Sequence, residues 1–166
     1  AQADGGSERP RISADGRYVA FLSASSNLVD GPASGGLYDI YVADTQGNGI
    51  VRASTGSGGT LAADGRALNP DISGTGRYVV FESDTSNYAA GGSTTQTDIF
   101  LKDLQSGTTT RISTSLTGTD GNGESVNARV SADGDYVVFQ SEASNLGSGD
   151  TNGYSDIFLW SAATGK

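Results

Sequence analysis

Short apolar runs recur along the chain, separated by stretches rich in Gly, Ser, Thr, Asp and Asn. Tyr18-Val19-Ala20-Phe21, Tyr78-Val79-Val80-Phe81 and Tyr136-Val137-Val138-Phe139 are apolar at every position. A sheet with one wet face alternates apolar and polar residues, so these uninterrupted runs predict strands packed on both faces. A second set, Ile40-Tyr41-Val42, Ile99-Phe100-Leu101 and Ile157-Phe158-Leu159, has the same character. They are rich in β-branched and aromatic residues and too short for helices. Ahead of the first set stand Gly16, Gly76 and Gly134, which can take the positive φ of a tight hairpin.

The runs belong to a repeat. Pro10-Arg11-Ile12-Ser13-Ala14-Asp15-Gly16-Arg17-Tyr18-Val19-Ala20-Phe21 aligns with the segments ending at Phe81 and Phe139, a period of about 60 residues, the mark of stacked supersecondary units. Ser-Asn follows at Ser26-Asn27, Ser86-Asn87 and Ser144-Asn145, and Asp-Ile-aromatic at Asp39, Asp98 and Asp156. Each unit reads as a meander. A first strand ends at Ile12, Ile72 or Val130, a second spans 18–21 and its equivalents, and a third spans 39–42, 98–101 and 156–159. A fourth lies at 50–52 and 110–113. Unit three stops at Thr164-Gly165-Lys166, where its fourth strand should begin. The expectation is an all-β propeller of four-stranded antiparallel blades, at 1–61, 62–118 and 119–166, the last lacking its outer strand. Radial stacking hides both faces of such sheets.

Composition narrows the chemistry. The chain has 166 residues, 25 glycines and a net charge of −9, with lysine only at Lys102 and Lys166. That charge repels phosphate backbones and argues against nucleic acid as a partner. Cysteine, methionine and histidine are absent, which excludes disulfides, thiol nucleophiles, a Ser-His-Asp triad and the usual zinc sites. No apolar run reaches membrane-spanning length. Ala1-Gln2-Ala3 suits the end left by signal-peptide removal, or equally a cut boundary.

The Ile-Ser-Ala-Asp-Gly-Arg-Tyr-Val-Ala-Phe stretch, with the downstream Ser-Asn-Leu and Asp-Ile-Tyr-Val, resembles the TolB-like, WD-related propeller repeat of bacterial envelope and extracellular proteins. The resemblance implies an exported, periplasmic or extracellular chain and a six-bladed ring, hence two copies of these three blades or further blades in one chain. It is specific for fold and weak for activity.

Two places invite a function. An open edge on strand 156–159 would accept another chain. The sole tryptophan, Trp160, sits on it with Phe158 and Asp156 as candidate interface residues, at a position expected to tolerate solvent because its counterparts are Ala43 and Lys102. The loop Asp150-Thr151-Asn152-Gly153-Tyr154-Ser155-Asp156 places oxygen ligands at alternate positions around a glycine, so Asp150, Asn152 and Asp156 form a candidate calcium site; turn capping is the rival reading. Asp15 and Asp133 in the hairpins read as turn residues. The acidic positions recur at equivalent sites instead of differing from blade to blade, so no catalytic residue is assigned and no enzyme is expected, a propeller glycosidase being the weaker alternative. The expected partner is a second copy or another envelope protein, with a glycan or peptide stacked on Tyr38, Tyr88, Tyr154 or Trp160 as the alternative.

Overall fold

The computed structural model describes residues 2–32, 37–89 and 96–166. They form three antiparallel sheets, each a meander in chain order. Blade one contains β1 (Ser7–Ile12), β2 (Tyr18–Ser23), β3 (Asp39–Asp44) and β4 (Gly49–Arg52). Blade two contains β5 (Ala67–Ile72), β6 (Tyr78–Ser83), β7 (Asp98–Asp103) and β8 (Thr109–Arg111). Blade three has only β9 (Ser125–Val130), β10 (Tyr136–Ser141) and β11 (Asp156–Ser161). The inner strands β1, β5 and β9 approach one another in order, the wedge geometry of a propeller.

The recurring motifs are turn chemistry. Ser13 Oγ accepts from the Tyr18 N–H and donates to Asp15, whose carboxylate also takes the Arg17 N–H; Ser131 and Asp133 repeat this around Tyr136 and Asp135. The leading loops are tied down similarly. Asp4, Asp64 and Asn122 accept the N–H of Ser26, Ser86 and Ser144 at 2.7, 2.9 and 2.8 Å. Asn27, Asn87 and Asn145 return a bond to the carbonyls of Gln2, Leu61 and Asp120. Buried backbone polar groups need such partners, and Asp, Asn and Ser supply them locally.

Two apolar interfaces hold the blades together. One face of blade one, with Ala20, Leu22, Ile40 and Val42, packs on Ile72, Val79, Phe81 and Phe100 of blade two. The opposite face of blade two, with Val80, Ile99, Leu101 and Ile112, packs on Val137, Phe139 and Trp160 of blade three. Inside each blade an aromatic pair spans the two central strands: Phe21–Tyr41, Phe81–Phe100 and Phe139–Phe158 stack at 5.9, 5.8 and 5.8 Å. The expectation that both faces are hidden therefore holds within this chain for blade two alone.

The hairpin glycines make the blade-to-blade contact. A Cβ on Gly76 would lie 2.1 Å from Cδ2 of Tyr18, and one on Gly134 2.1 Å from Cδ2 of Tyr78. Each tyrosine ring thus covers the turn of the next blade, under a guanidinium from Arg17 or Arg77. Gly76 also has φ +75°. We expect Gly76→Ala to cost at least about 2 kcal/mol in a urea melt, combining a left-handed backbone penalty with displacement of Tyr18. Gly16→Ala, at φ +72° with nothing within 4 Å, should cost only the backbone part, about 1 kcal/mol.

Candidate functional site

The two ends of the stack are complementary halves of the interface used inside it. Tyr136, the third of the repeating tyrosines, covers no glycine and is exposed, while Gly16 carries no tyrosine. The turns show the same pattern: the Ala14 N–H donates to the Gly74 carbonyl at 3.0 Å and the Gly74 N–H to the Ala132 carbonyl at 2.9 Å. The Ala132 N–H and the Ala14 carbonyl are the unused ends of that series. A second series joins the Ala67 N–H to the Tyr38 carbonyl and the Ser125 N–H to the Thr97 carbonyl, leaving the Ser7 N–H and the Ser155 carbonyl as its ends.

The exposed apolar surface falls in the same places. Ile157 and Leu159 of β11 are 75% and 61% exposed, whereas their equivalents Ile99 and Leu101 are 0% and 7%. Val138 and Tyr136 extend this patch on β10. At the other end Ile12 is 63% exposed against 7% for Ile72. Their equivalents in blade two, Ile72, Ile99 and Leu101, are core residues, so the two ends of the stack expose apolar surface that is covered between blades.

Trp160 requires a correction. It is 9% exposed and belongs to the cluster between blades two and three, and its counterpart Lys102 is only 4% exposed. The position does not tolerate solvent. It points into the gap between blades, where Lys102 Nζ contacts five oxygens: Thr55 O and Oγ1, Gly56 O, Gly107 O and Thr109 Oγ1. Burial lowers the Lys102 pKa, opposed by the charge of Asp103. In blade three an indole fills the gap instead, and Phe158 is half-buried beside it. Strand residues alternate faces, so the apolar residues that β11 presents outward are Ile157 and Leu159.

Asp156 has an instructive pair of equivalents. Asp39 receives a 2.8 Å bond from Ser54 Oγ and lies 3.3 Å from Arg52 Nε. Asp98 receives a 2.7 Å bond from Ser113 Oγ and lies 3.4 Å from Arg111 Nε. The serine and arginine come from the outer strand and the residues just after it. Neither Nε makes a well-directed hydrogen bond, so the contact is one of charge. Desolvation raises the Asp98 pKa, while Ser113 and then Arg111 pull it back. Among the described residues blade three has no fourth strand, and Asp156 instead accepts a 3.2 Å bond from Asn152 Nδ2. The Arg-x-Ser signature at Arg52-Ala53-Ser54 and Arg111-Ile112-Ser113, at one separation from its aspartate, is legible in the sequence, yet the motif reading did not connect the two.

The proposed calcium ligands lie together but are turned to protein donors. Asp150 Oδ1 faces the Asn152 N–H at 3.4 Å, Asn152 Oδ1 takes the Tyr154 N–H at 2.7 Å, and Asn152 presents nitrogen to Asp156. Among the described residues no group of three His, Cys, Asp or Glu side chains is placed to hold a metal ion.

Charge pairs fasten the hairpins. Arg17 bonds Asp44, and Arg77 bonds Asp103 through both guanidinium arms. The Arg17 bond, then Asn48, lowers the Asp44 pKa from 3.8 to about 2; Asp103 is held lower still, chiefly by Arg77. A depressed folded-state carboxylate pKa adds stability that is present above the unfolded value and lost as pH falls through the folded one. Melting temperature should therefore decline between about pH 4 and pH 2 in wild type, and less steeply in Arg17→Gln/Arg77→Gln.

These observations define the class: a TolB-like β-propeller fold, present as three blades. Among solved structures the chain is similar to a protein assigned as TolB from Agrobacterium tumefaciens, with TM-score 0.58 and 22% identity over 97% of this chain and 47% of that one. TolB from Acinetobacter baumannii gives 0.55 and 18% over 99% and 31%. Oligogalacturonate lyase from Vibrio parahaemolyticus gives 0.59 and 11% over 100% and 40%. The chain thus spans less than half of each of these proteins. No protein-family model matches the sequence, and no curated protein matches it either. Among the described residues no helix is long and apolar enough to cross a membrane.

Proposed function

We propose that the chain is a non-catalytic part-ring scaffold, working outside the cytoplasm, whose open ends are completed by a second copy of itself. Tyr136 and the Ile157–Leu159 face of one copy would cover Gly16 and Ile12 of the other, and the reverse contact would close six blades. One observation carries this reading: the tyrosine-on-glycine contact and the turn-to-turn hydrogen bond are each made twice within the chain, and each leaves one unused half at either end. The contacts already present within the chain support a second copy as the partner. The open edge of β11 is a second attachment point, suited to a strand that carries Arg-x-Ser toward Asp156. The absence of catalysis is supported by what the recurring acidic residues do, since Asp15, Asp39, Asp98 and Asp133 are committed to turns and ion pairs. Export is supported by the resemblance to envelope proteins.

Sedimentation velocity over a concentration series tests the assembly. A species of twice the single-chain mass is expected to gain population with concentration. A chain that sediments as a monomer throughout the micromolar range would rule the reading out.

A further inference from the structure

The inner strands carry a cluster that the assembly does not use. Arg9, Arg11, Asn69, Pro70, Asn127 and Arg129 line a cavity of about 250 Å³ on the axial side of β1, β5 and β9. Each inner strand has a register break at the same place. The residue there takes a left-handed backbone: Arg9 at φ 55°, Asn69 at 49° and Asn127 at 59°. Asparagine adopts this conformation readily and arginine does not, so blade one bears strain that places a guanidinium on the cavity wall.

The charge distribution singles the cavity out. In a chain of net charge −9, five arginines (Arg17, Arg52, Arg66, Arg77 and Arg111) each sit beside an aspartate. Among the described residues Arg9 and Arg129 have no ion-pair partner, and Arg11 reaches only Asp71, at 3.9 Å. All three line this one cavity. The nearby carboxylates are engaged by protein donors: Asp71 takes the Val130 N–H at 3.1 Å, and Glu82 takes Asn69 Nδ2 at 2.6 Å and the Asn127 N–H at 2.7 Å. The guanidiniums of Arg11 and Arg129 donate only to the adjacent carbonyls of Pro10 and Ala128, so most of their N–H groups remain available.

We propose that this cavity is an oxyanion site for a ligand bearing two or more carboxylates. A guanidinium presents a planar fork that matches a carboxylate edge with two parallel bonds. Three forks from two blades suit several carboxylates on one small molecule or one short acidic segment better than a single tetrahedral phosphate. The residues come from one chain, so the site stands whether or not two copies close a ring.

Isothermal titration with citrate, alongside pyrophosphate, tests this on the whole chain. Citrate should bind one per chain, and Arg129→Gln should weaken it by at least about tenfold, the loss of one charge-assisted pair. Arg9→Asn, which installs the residue found at this position in the other two blades, should weaken it further without harming the fold. Arg66→Gln, which removes a charge elsewhere, should leave binding unchanged. No saturable heat up to about 10 mM citrate, well beyond the affinity expected of such a site, would overturn the proposal. Equal weakening by Arg66→Gln would do the same, and so would tighter binding of pyrophosphate than of citrate.

Discussion

Ile157→Asp/Leu159→Asp is expected to hold the chain in its single-copy state at concentrations where the wild type pairs, without lowering its melting temperature. Both side chains are mostly in water in the isolated chain, and substitutions at such positions usually shift stability by no more than about 0.5 kcal/mol. In the paired state they would take the place that Ile99 and Leu101 hold between blades two and three. Unpaired carboxylates buried there would face a desolvation cost of several kcal/mol, weakening association by at least about a hundredfold. Sedimentation velocity and a thermal melt read the two effects separately. A variant that associates like wild type would show that this face is not the contact. A variant that unfolds would show that the face is already part of the isolated chain's core. The corresponding change at Ile99, buried within one chain, should prevent folding in either case.

Asp98→Ala should be strongly damaging, at about 3–5 kcal/mol, which for a domain of this size lowers the melting temperature on the order of 10 °C. The reason is what it leaves behind. Arg111 is almost wholly buried between β7 and its neighbours, with Asp98 and Asp120 as its carboxylates, and its Nε and Nη2 have no hydrogen-bond partner to fall back on. Removing both charges together, in Asp98→Leu/Arg111→Leu, should recover much of the loss, because a buried pair contributes little beyond an apolar replacement of similar size. The repeat supplies its own control. Asp156 occupies the same position with no arginine opposite, so Asp156→Ala should change stability by no more than about 0.5 kcal/mol. Equal losses at Asp98 and Asp156 in denaturant melts would show that the ion pair is not the cause.

The architecture was legible because it is written three times. Tyr18, Tyr78 and Tyr136 mark the same step of the same meander, and uninterrupted apolar runs imply two covered faces. What the pattern could not separate was a covered face from one that is merely suited to cover. The runs at β2, β6 and β10 look alike in sequence, yet among the described residues only β6 lies in a blade with a neighbour on both faces. The Ala43, Lys102 and Trp160 position misled for a different reason. A lysine suggests solvent, but Lys102 is buried by hydroxyls and carbonyls drawn from two blades, and the acceptors on Thr55 and Gly56 lie far from it in the chain. The partners of Asp39 and Asp98 were in plain view, but reading them required pairing a strand with the next one out instead of comparing like strands across blades. The cluster of Arg9, Arg11 and Arg129 was hidden differently: Arg11 and Arg129 share one position of the repeat, but Arg9 stands where the other blades have Asn69 and Asn127, and a search for repetition passes over what differs.

The offset between Tyr136 and Gly16 has a consequence for how growth would stop. A self-complementary patch is used up when two molecules meet, whereas a plug at one terminus and a socket at the other leave both kinds vacant after every addition. Such a contact is directional, and it halts only if the accumulated rotation brings the last plug back to the first socket. A slight rise along the axis at each step would let the same bonds wind onward into a helical filament. The angle between successive blades, more than the strength with which they adhere, therefore sets the size of the finished object.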